Sequence, residues 1–301
     1  MDHGQTAYYL TDKKQLGAGI VLALIASLAY GSEAIIAKLL YAQGLTPLTI
    51  LCWRFILATL VFLGWARPYF QPHYLQRNQL YVLFLLGLSQ GITVVFLFYA
   101  FMYIPVGLAI FLFYLYPTLV IVLEALLLNI KPDKKRIGAL ILTLLGLIVI
   151  AGRTVAGISW PGFFCAVAAA VGNAIFLILS KQSLDGLPLP LVTAGTTVSA
   201  TAFLLLVGSF TRTPLSFPIT PLNLGLLLFL VLIPSVLALS CLFAAVARLG
   251  PSRTAIVGTT EPFITSLLGL FILTEQLLLR ELIGGILIVL AVVLESVNGS
   301  S

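Results

Sequence analysis

A few ionisable side chains stand inside long apolar runs of this sequence, and they are its best candidates for chemistry. Glu261 lies near the middle of one run, on a helically spaced stripe with Thr254, Gly258 and Thr265. Charged groups are costly inside hydrocarbon, so such a residue is by default a functional hypothesis. A carboxyl group near the bilayer centre favours its neutral form, which makes Glu261 a candidate for proton coupling. The structural alternative is that Glu261 satisfies the backbone that Pro262 interrupts.

Polar and aromatic side chains recur at the level where a cavity between helices would lie. Gln90 occupies one such position, and Ser235, which follows a proline, occupies an equivalent position in the second half of the chain. Polar groups and helix breaks at equivalent depths indicate binding sites in carriers built from repeats. Tyr114 is the candidate for stacking on an apolar or aromatic substrate, whereas most aromatic residues near it are expected to face lipid. We predict substrate-binding roles for Tyr30, Gln90, Tyr114, Asn173, Ser235, Thr260 and Arg253.

Three charged residues each have two interpretations. Glu33 lies in the outer half of the first run, where we favour a structural ion pair with a cation such as Arg54 over substrate binding. Arg253 opens a run, where the guanidinium and the helix N-terminus would attract a carboxylate or phosphate. A positive charge that only sets the orientation explains Arg253 at least as well. Glu124 lies near the end of its run, and we expect it to reach interfacial water or the nearby basic loop.

The composition identifies lipid as the solvent of this chain. Of its 301 residues, 60% are hydrophobic and 9% are charged, and the mean hydropathy is +1.14. Soluble domains are roughly half apolar and about a quarter charged, so ordinary soluble enzymes, nucleic-acid-binding proteins and disordered chains are excluded. The three cysteines lie in apolar runs without CxxC spacing, and both histidines lie in loops or tails. We therefore expect no metal, no cofactor and no catalytic residue.

Ten continuous apolar runs predict an all-α membrane protein with ten transmembrane helices. Continuous runs also argue against a β-barrel, whose strands alternate in polarity. With the N-terminus inside, 11 of the 16 Lys and Arg residues lie on the cytoplasmic side and 3 on the other, so both termini are predicted to be cytoplasmic. We predict an integral multi-pass protein of a bacterial inner (plasma) membrane. The runs are 16–41, 46–66, 79–103, 106–128, 137–152, 160–181, 189–210, 222–247, 252–274 and 281–297.

The two halves of the chain are similar to each other. At an offset of 143 residues, Gly19 and Pro47 align with Gly162 and Pro190. Five runs in each half is an odd number, so the second half must enter the membrane with the opposite polarity. This predicts two inverted five-helix repeats around a central cavity, an architecture of many secondary transporters. The predicted divisions are a cytoplasmic tail at 1–15, repeats at 16–152 and 153–297, and a tail at 298–301.

Several short motifs occur in order along both halves. In the first half they are Ala29-Tyr30-Gly31-Ser32, Trp53-Arg54-Phe55 and Leu115-Tyr116-Pro117. In the second half they are Arg253-Thr254-Ala255, Thr260-Glu261-Pro262 and Thr274-Glu275. In this order and spacing they resemble the EamA-type transporters of the drug/metabolite transporter superfamily. The resemblance implies a ten-helix carrier of inverted repeats that moves small organic metabolites, usually outward. The first half departs from the fuller pattern, since Tyr116 stands where the second half has Glu261.

We therefore predict a secondary active transporter that exports small organic metabolites by alternating access. Amino acids or similar neutral, zwitterionic or amphipathic compounds are the expected cargo, because the predicted cavity is mainly apolar and only Arg253 and Arg248 supply nearby cations. The alternatives are a membrane-embedded enzyme acting on a lipid or small substrate, a facilitative exchanger of phosphorylated metabolites, and a channel. The expected partners are a small-molecule substrate, the lipid bilayer and, as a candidate, protons, without nucleic acid. The protein would be a monomer or a homodimer.

Cysteine accessibility tests the predicted topology. Cysteines introduced at Asp12 and Asn298, in a variant without the natural cysteines, should not react with a membrane-impermeant thiol reagent applied to intact cells. Both sites should react once the membrane is permeabilised, which controls for sites that no reagent can reach. Labelling at either site in intact cells would contradict the topology.

Overall fold

The structure is a computed structural model that describes residues 13–74, 76–104, 106–127, 129, 132–151, 159–215, 220–264 and 279–296. Within these ranges the regular structure is entirely helical. Short 3₁₀ turns lie at Arg67–Tyr69 and Pro72–Tyr74, and a π-helical segment, Val231–Leu237, joins α10 to α11. The α-helices are α1 (Lys13–Gly31), α2 (Glu33–Ala42), α3 (Pro47–Ala66), α4 (Arg77–Tyr103), α5 (Val106–Phe113), α6 (Tyr116–Leu127), α7 (Lys134–Ala151), α8 (Trp160–Gly186), α9 (Leu189–Phe210), α10 (Pro221–Leu230), α11 (Ala238–Leu249), α12 (Pro251–Gly258) and α13 (Leu279–Ser296).

Six helical stretches in the described part of the chain are long and apolar enough to cross a membrane. This confirms the predicted all-helical membrane class, whereas the count of ten spans and the inversion of the halves stay predictions. Residues 265–274 of the ninth predicted run lie outside the described residues. The six stretches are Gln15–Ala42, Pro47–Tyr69, Arg77–Tyr103, Trp160–Gly186, Leu189–Phe210 and Pro221–Leu249.

Prolines interrupt the helix in three of the predicted runs, and the breaks at Pro234 and Pro262 agree with the sequence prediction. Proline has no N–H group, so the carbonyl four residues earlier loses its helical donor, and the ring crowds that turn. The chain breaks at 114–115, just before Pro117, and turns at 259–260, just before Pro262. Pro234 lies inside the π-helical segment, whose wider turn accommodates the ring.

Helices of the first half pack chiefly against helices of the second half. The most extensive contacts of α4 are with α8 and α9, while α3 lies against α9 and α1 against α11. Glycines at the crossings let the backbones approach closely. A Cβ atom on Gly87 in α4 would lie 2.5 Å from the backbone oxygen of Thr196 in α9. One on Gly172 in α8 would lie 2.7 Å from Oγ1 of Thr93 in α4. The two halves are therefore joined by direct backbone contact.

Replacing Gly87 with alanine should destabilise the protein by about 1–3 kcal/mol, because the added methyl group meets backbone atoms of α9. The matched control is Gly64→Ala in α3, where nothing lies within 4 Å of an added Cβ atom. There the helix propensity of alanine should leave the stability unchanged or raise it by up to about 1 kcal/mol. Thermal unfolding of both variants in one detergent measures the difference. Equal melting temperatures would contradict the close approach of α4 and α9.

Candidate functional site

A cavity of about 320 Å³ lies between helices of the two halves. Its walls come from α1 to α6, α8, α11 and α12, together with the first residue after the turn that follows α12. The lining is mainly apolar, with a small number of polar side chains. Pockets for small molecules commonly enclose about 300–1,000 Å³, so this volume is suited to a metabolite rather than to a larger molecule.

Five of the predicted site residues line this cavity, and they come from both halves of the chain. They lie on α1, on α4, in the turn between α5 and α6, on α8, and just after α12. The polar stripe predicted around Glu261 is present, since Thr254 and Gly258 line the cavity too, whereas Thr265 lies outside the described residues. The five residues are Tyr30, Gln90, Tyr114, Asn173 and Glu261.

The other three predicted binding residues, Ser235, Thr260 and Arg253, do not line the cavity. Ser235 Oγ donates to the backbone oxygen of Leu230 at 3.0 Å and accepts from Arg54, so it supports a cavity residue instead of facing a substrate. The hydroxyl of Thr260 donates to a carbonyl of the preceding turn at 2.9 Å, as hydroxyl groups in helices commonly do. Arg253 lies in the first turn of α12, where its partly buried side chain is not part of the lining.

A partly buried ion pair forms a polar part of the cavity wall. Arg54 in α3 donates from Nη1 to Glu33 Oε1 in α2, and both residues line the cavity. Arg54 also donates from Nε to Ser235 Oγ at 2.7 Å and from Nη2 to the backbone oxygen of Pro234 at 3.3 Å. Because only 3% of the Arg54 side chain is exposed, the guanidinium needs these partners to offset its loss of hydration. The structure thus contains the ion pair predicted for Glu33.

Arg54 also corrects the prediction that only Arg248 and Arg253 supply cations near the cavity. Arg248 is exposed, and its Nη1 donates to the backbone oxygen of Ala244 at 2.7 Å. A signal for Arg54 was present in the sequence, because a lone arginine inside a long apolar run must face protein or water. An ion pair with Arg54 was expected for Glu33 in place of a position in the site, whereas in the structure both paired residues line the cavity.

Glu261 lies beside a pair of tyrosines. The Tyr114 hydroxyl is a hydrogen-bond partner of its carboxylate, and the ring centroids of Tyr114 and Tyr116 are 5.5 Å apart. The same hydroxyl lies 3.4 Å from the backbone oxygen of Gly258, which is the carbonyl that Pro262 deprives of its helical donor. Tyr114 therefore connects the first half of the chain to the broken helix of the second half.

Aromatic rings form much of the remaining wall. This corrects the prediction that most aromatic residues of the third and fourth runs face lipid, because Phe98, Phe101 and Phe113 line the cavity. The prediction does hold for Phe96 and Tyr103, which are exposed. Aromatic rings supply a large apolar contact area with a defined geometry, so the cavity is suited to a substrate that has an apolar or aromatic part.

A second buried cluster joins the two halves outside the cavity. Glu124 in α6 accepts from Arg136 Nη1 in α7 at 3.5 Å, from the Ser252 backbone N–H at 3.2 Å, and from the Ser252 hydroxyl. Its predicted contact with the basic segment is therefore present, but Glu124 is buried and does not lie in interfacial water. The carboxylate caps the positive N-terminal end of α12 from a different helix, which stabilises both elements.

The chain belongs to the EamA-like transporter family. The family model matches residues 17–152 and 160–297, with one copy in each half. The protein is therefore a multi-pass membrane transporter of small molecules that sits in the lipid bilayer. The motif resemblance to EamA-type transporters of the drug/metabolite transporter superfamily is thereby confirmed.

Two individual proteins are similar to this chain, one in sequence and one in fold. Protein PecM of Dickeya dadantii (strain 3937) is 27% identical over 217 residues, which are 71% of this chain and 73% of PecM. A protein solved by crystallography shares the fold, with a TM-score of 0.77 at 18% identity, and the match covers 92% of this chain and 96% of the other.

Removing the Glu124 carboxylate should destabilise the protein by about 3–5 kcal/mol, because Arg136 and the Ser252 amide would be left buried without it. The control is Asp185→Ala, which removes the Lys181–Asp185 pair. The Asp185 side chain is 59% exposed, so solvent screening should keep that loss below about 1 kcal/mol. Unfolding of Glu124→Ala and the control is measured in the same detergent. A loss for Glu124→Ala no larger than that of the control would show that the cluster contributes little.

Proposed function

We propose that this transporter is a secondary active carrier that exports small organic metabolites by alternating access. Its cargo is a neutral, zwitterionic or amphipathic compound, with amino acids as the leading class. The observation that carries the proposal is the cavity itself, which has the volume of a metabolite site, a mainly apolar wall, and an arginine that a glutamate already neutralises. A cargo with little net charge fits such a wall without leaving buried charge unpaired.

The charges in the lining argue against multiply charged cargo. Arg54 is the cation among the described lining residues, and Glu33 and Glu261 are the carboxylates. A phosphate ester would bring further negative charge to two carboxylates and a guanidinium that is already paired, in surroundings of low dielectric constant. A compound with balanced charges, or with none, avoids this cost. The exchanger of phosphorylated metabolites is therefore the weaker alternative.

The proposed architecture is ten transmembrane helices in two inverted five-helix repeats, with repeats at 16–152 and 153–297 between short tails. Two successive copies of the family model support this division, as do the contacts of α4 with α8 and α9 across the halves. An odd number of crossings in each copy turns the second copy over in the membrane. The charge distribution favours cytoplasmic termini in a bacterial inner membrane.

Transport by the purified protein in liposomes tests this proposal. Vesicles are loaded with radiolabelled amino acids, nucleosides, sugar phosphates or amphipathic drugs, and protein-free vesicles serve as the control. At least one amino acid or similar zwitterion should leave the protein-containing vesicles faster, whereas sugar phosphates should not. A membrane enzyme would instead alter its compound chemically, and a channel would show conductance. Transport of sugar phosphates without transport of amino acids or neutral metabolites would contradict the proposed cargo.

Proton coupling is the proposed role of Glu261. Its carboxylate lines the cavity, and the titratable side chains near it in the described part of the chain include Tyr114, Tyr116, Tyr30 and Glu33. A proton that binds Glu261 changes the charge of the substrate site by one unit. The helix break next to Glu261 is a point where such a change in charge can alter the backbone. Proton binding and substrate binding at one cavity would then be linked reciprocally.

The variant Glu261→Gln keeps the shape of the side chain and removes its titration. It should still bind and exchange substrate in liposomes but lose the uptake that an imposed pH gradient drives in the wild type. Asp185→Asn, which neutralises an exposed carboxylate in α8, is the control and should behave as the wild type does. The proton role is wrong if the wild type does not respond to a pH gradient, or if Glu261→Gln still responds.

A further inference from the structure

We propose that the Arg54–Glu33 pair is the subsite that recognises the head group of the substrate. The head group that it fits is a zwitterion, with a carboxylate and an ammonium group on one carbon atom or on neighbouring atoms. This inference rests on the proposed transport function and assigns a substrate class and two specificity-determining residues to its cavity.

Arg54 retains hydrogen-bond donors for a substrate. A guanidinium carries five N–H groups, and three of them are used, by Glu33, Ser235 and the backbone oxygen of Pro234. One N–H group on each terminal nitrogen has no partner among the described residues. The side chain lines the cavity and is only 3% exposed. A molecule bound in the cavity can therefore accept hydrogen bonds from these two N–H groups. Two neighbouring N–H groups match the two oxygens of a carboxylate.

Glu33 supplies the complementary charge next to these donors. Its Oε1 accepts from Arg54, whereas Oε2 has no hydrogen-bond partner in the described part of the chain. The Glu33 side chain is 18% exposed and lines the cavity, so an ammonium group can reach the second oxygen. Tyr41 also lines the cavity, near both residues. Its buried hydroxyl has no partner among the described residues, which marks the same region as incomplete without a polar ligand.

The pair is held in place before any substrate binds. The π-helical segment supplies two of the three acceptors of Arg54, the Ser235 hydroxyl and the Pro234 carbonyl. Ser235 is itself fixed by its bond to the Leu230 backbone oxygen at 3.0 Å. Side chains that are already ordered bind a ligand without a further loss of conformational entropy. Because α2 and α3 belong to the first half and the π-helical segment to the second, this subsite bridges the two halves.

The remaining wall accepts the apolar part of such a substrate, through Phe98, Phe101, Phe113 and the ring of Tyr114. A ligand with the same apolar part but only one charged group would leave either Arg54 or Glu33 desolvated without its new partner. Sites built to hydrogen-bond a polar group discriminate strongly against analogues that lack it. The pair should therefore select zwitterions over simple amines and simple acids.

Three probes that differ only in the head group test this inference: phenylalanine, 2-phenylethylamine and 3-phenylpropanoate. Binding to the purified full-length protein is measured in detergent by calorimetry. The wild type should bind phenylalanine at least about tenfold more tightly than either analogue, because each analogue lacks one charge-assisted hydrogen bond.

Two variants should shift this selectivity in opposite directions. Glu33→Gln keeps an acceptor for Arg54 but removes the negative charge, so the preference should move by roughly tenfold toward 3-phenylpropanoate. Arg54→Gln leaves the Glu33 charge and should move the preference by a similar factor toward 2-phenylethylamine. The control is Thr59→Val, which removes the Thr59–Thr201 hydrogen bond between α3 and α9 but lies outside the cavity lining. The control should leave the ratios of the three affinities unchanged.

A purely structural role for the pair would lower the binding of all three probes alike, and that result would overturn the inference. A wild type that binds none of the probes, or that does not distinguish among them, would overturn it too. If Arg54→Gln does not fold, Arg54→Lys replaces it. Lysine keeps the charge but loses the two-pronged geometry, so binding of phenylalanine should weaken more than binding of 2-phenylethylamine. Failure of the proposed function is distinct, because the liposome panel then shows no transport, or transport of sugar phosphates without amino acids or neutral metabolites.

Discussion

Every polar group inside the hydrocarbon must find its hydrogen-bond partners within the protein or in an enclosed cavity. The buried guanidinium of Arg54 finds its partners in two separate parts of the chain. Glu33 neutralises its charge, and the π-helical segment supplies a hydroxyl and a carbonyl oxygen. Removing any one of these partners would leave a charge or a donor buried alone, which is far more costly than the pair itself. The positions of α2, α3 and the π-helical segment are therefore coupled through one side chain.

The same constraint explains why the irregular backbone lies next to the cavity. Pro234 and Pro262 each free a carbonyl oxygen, on Leu230 and Gly258 respectively. Ser235 donates to the first oxygen and the Tyr114 hydroxyl lies within hydrogen-bond distance of the second. Non-helical backbone at membrane depth is stable only where protein or a cavity can satisfy it. The breaks thus place polar side chains close to the cavity and keep them there.

The sequence predicted the helical class well because hydropathy over a long run is a local property. It also predicted Tyr30, Gln90, Tyr114, Asn173 and Glu261 as residues of one site, since polar side chains in apolar runs must face protein or water. It failed where the outcome depended on a partner from elsewhere in the chain. A serine or threonine at the right depth can satisfy itself against its own helix, and neither hydropathy nor helical spacing distinguishes that case from a residue that faces the cavity.

A carrier must change its conformation when its cargo binds, and a ligand can shift a conformational equilibrium only by its different affinity for the two states. The proposed Arg54 subsite fits this requirement, because the partners of Arg54 belong to different halves of the chain. A movement of one half against the other changes the distances from Arg54 to Ser235 and Pro234, and with them the donors that are open to a substrate. The same hydrogen bonds then determine both the binding strength at the head group and the relative position of the halves. The proposed site therefore needs no separate element that senses whether a substrate is bound.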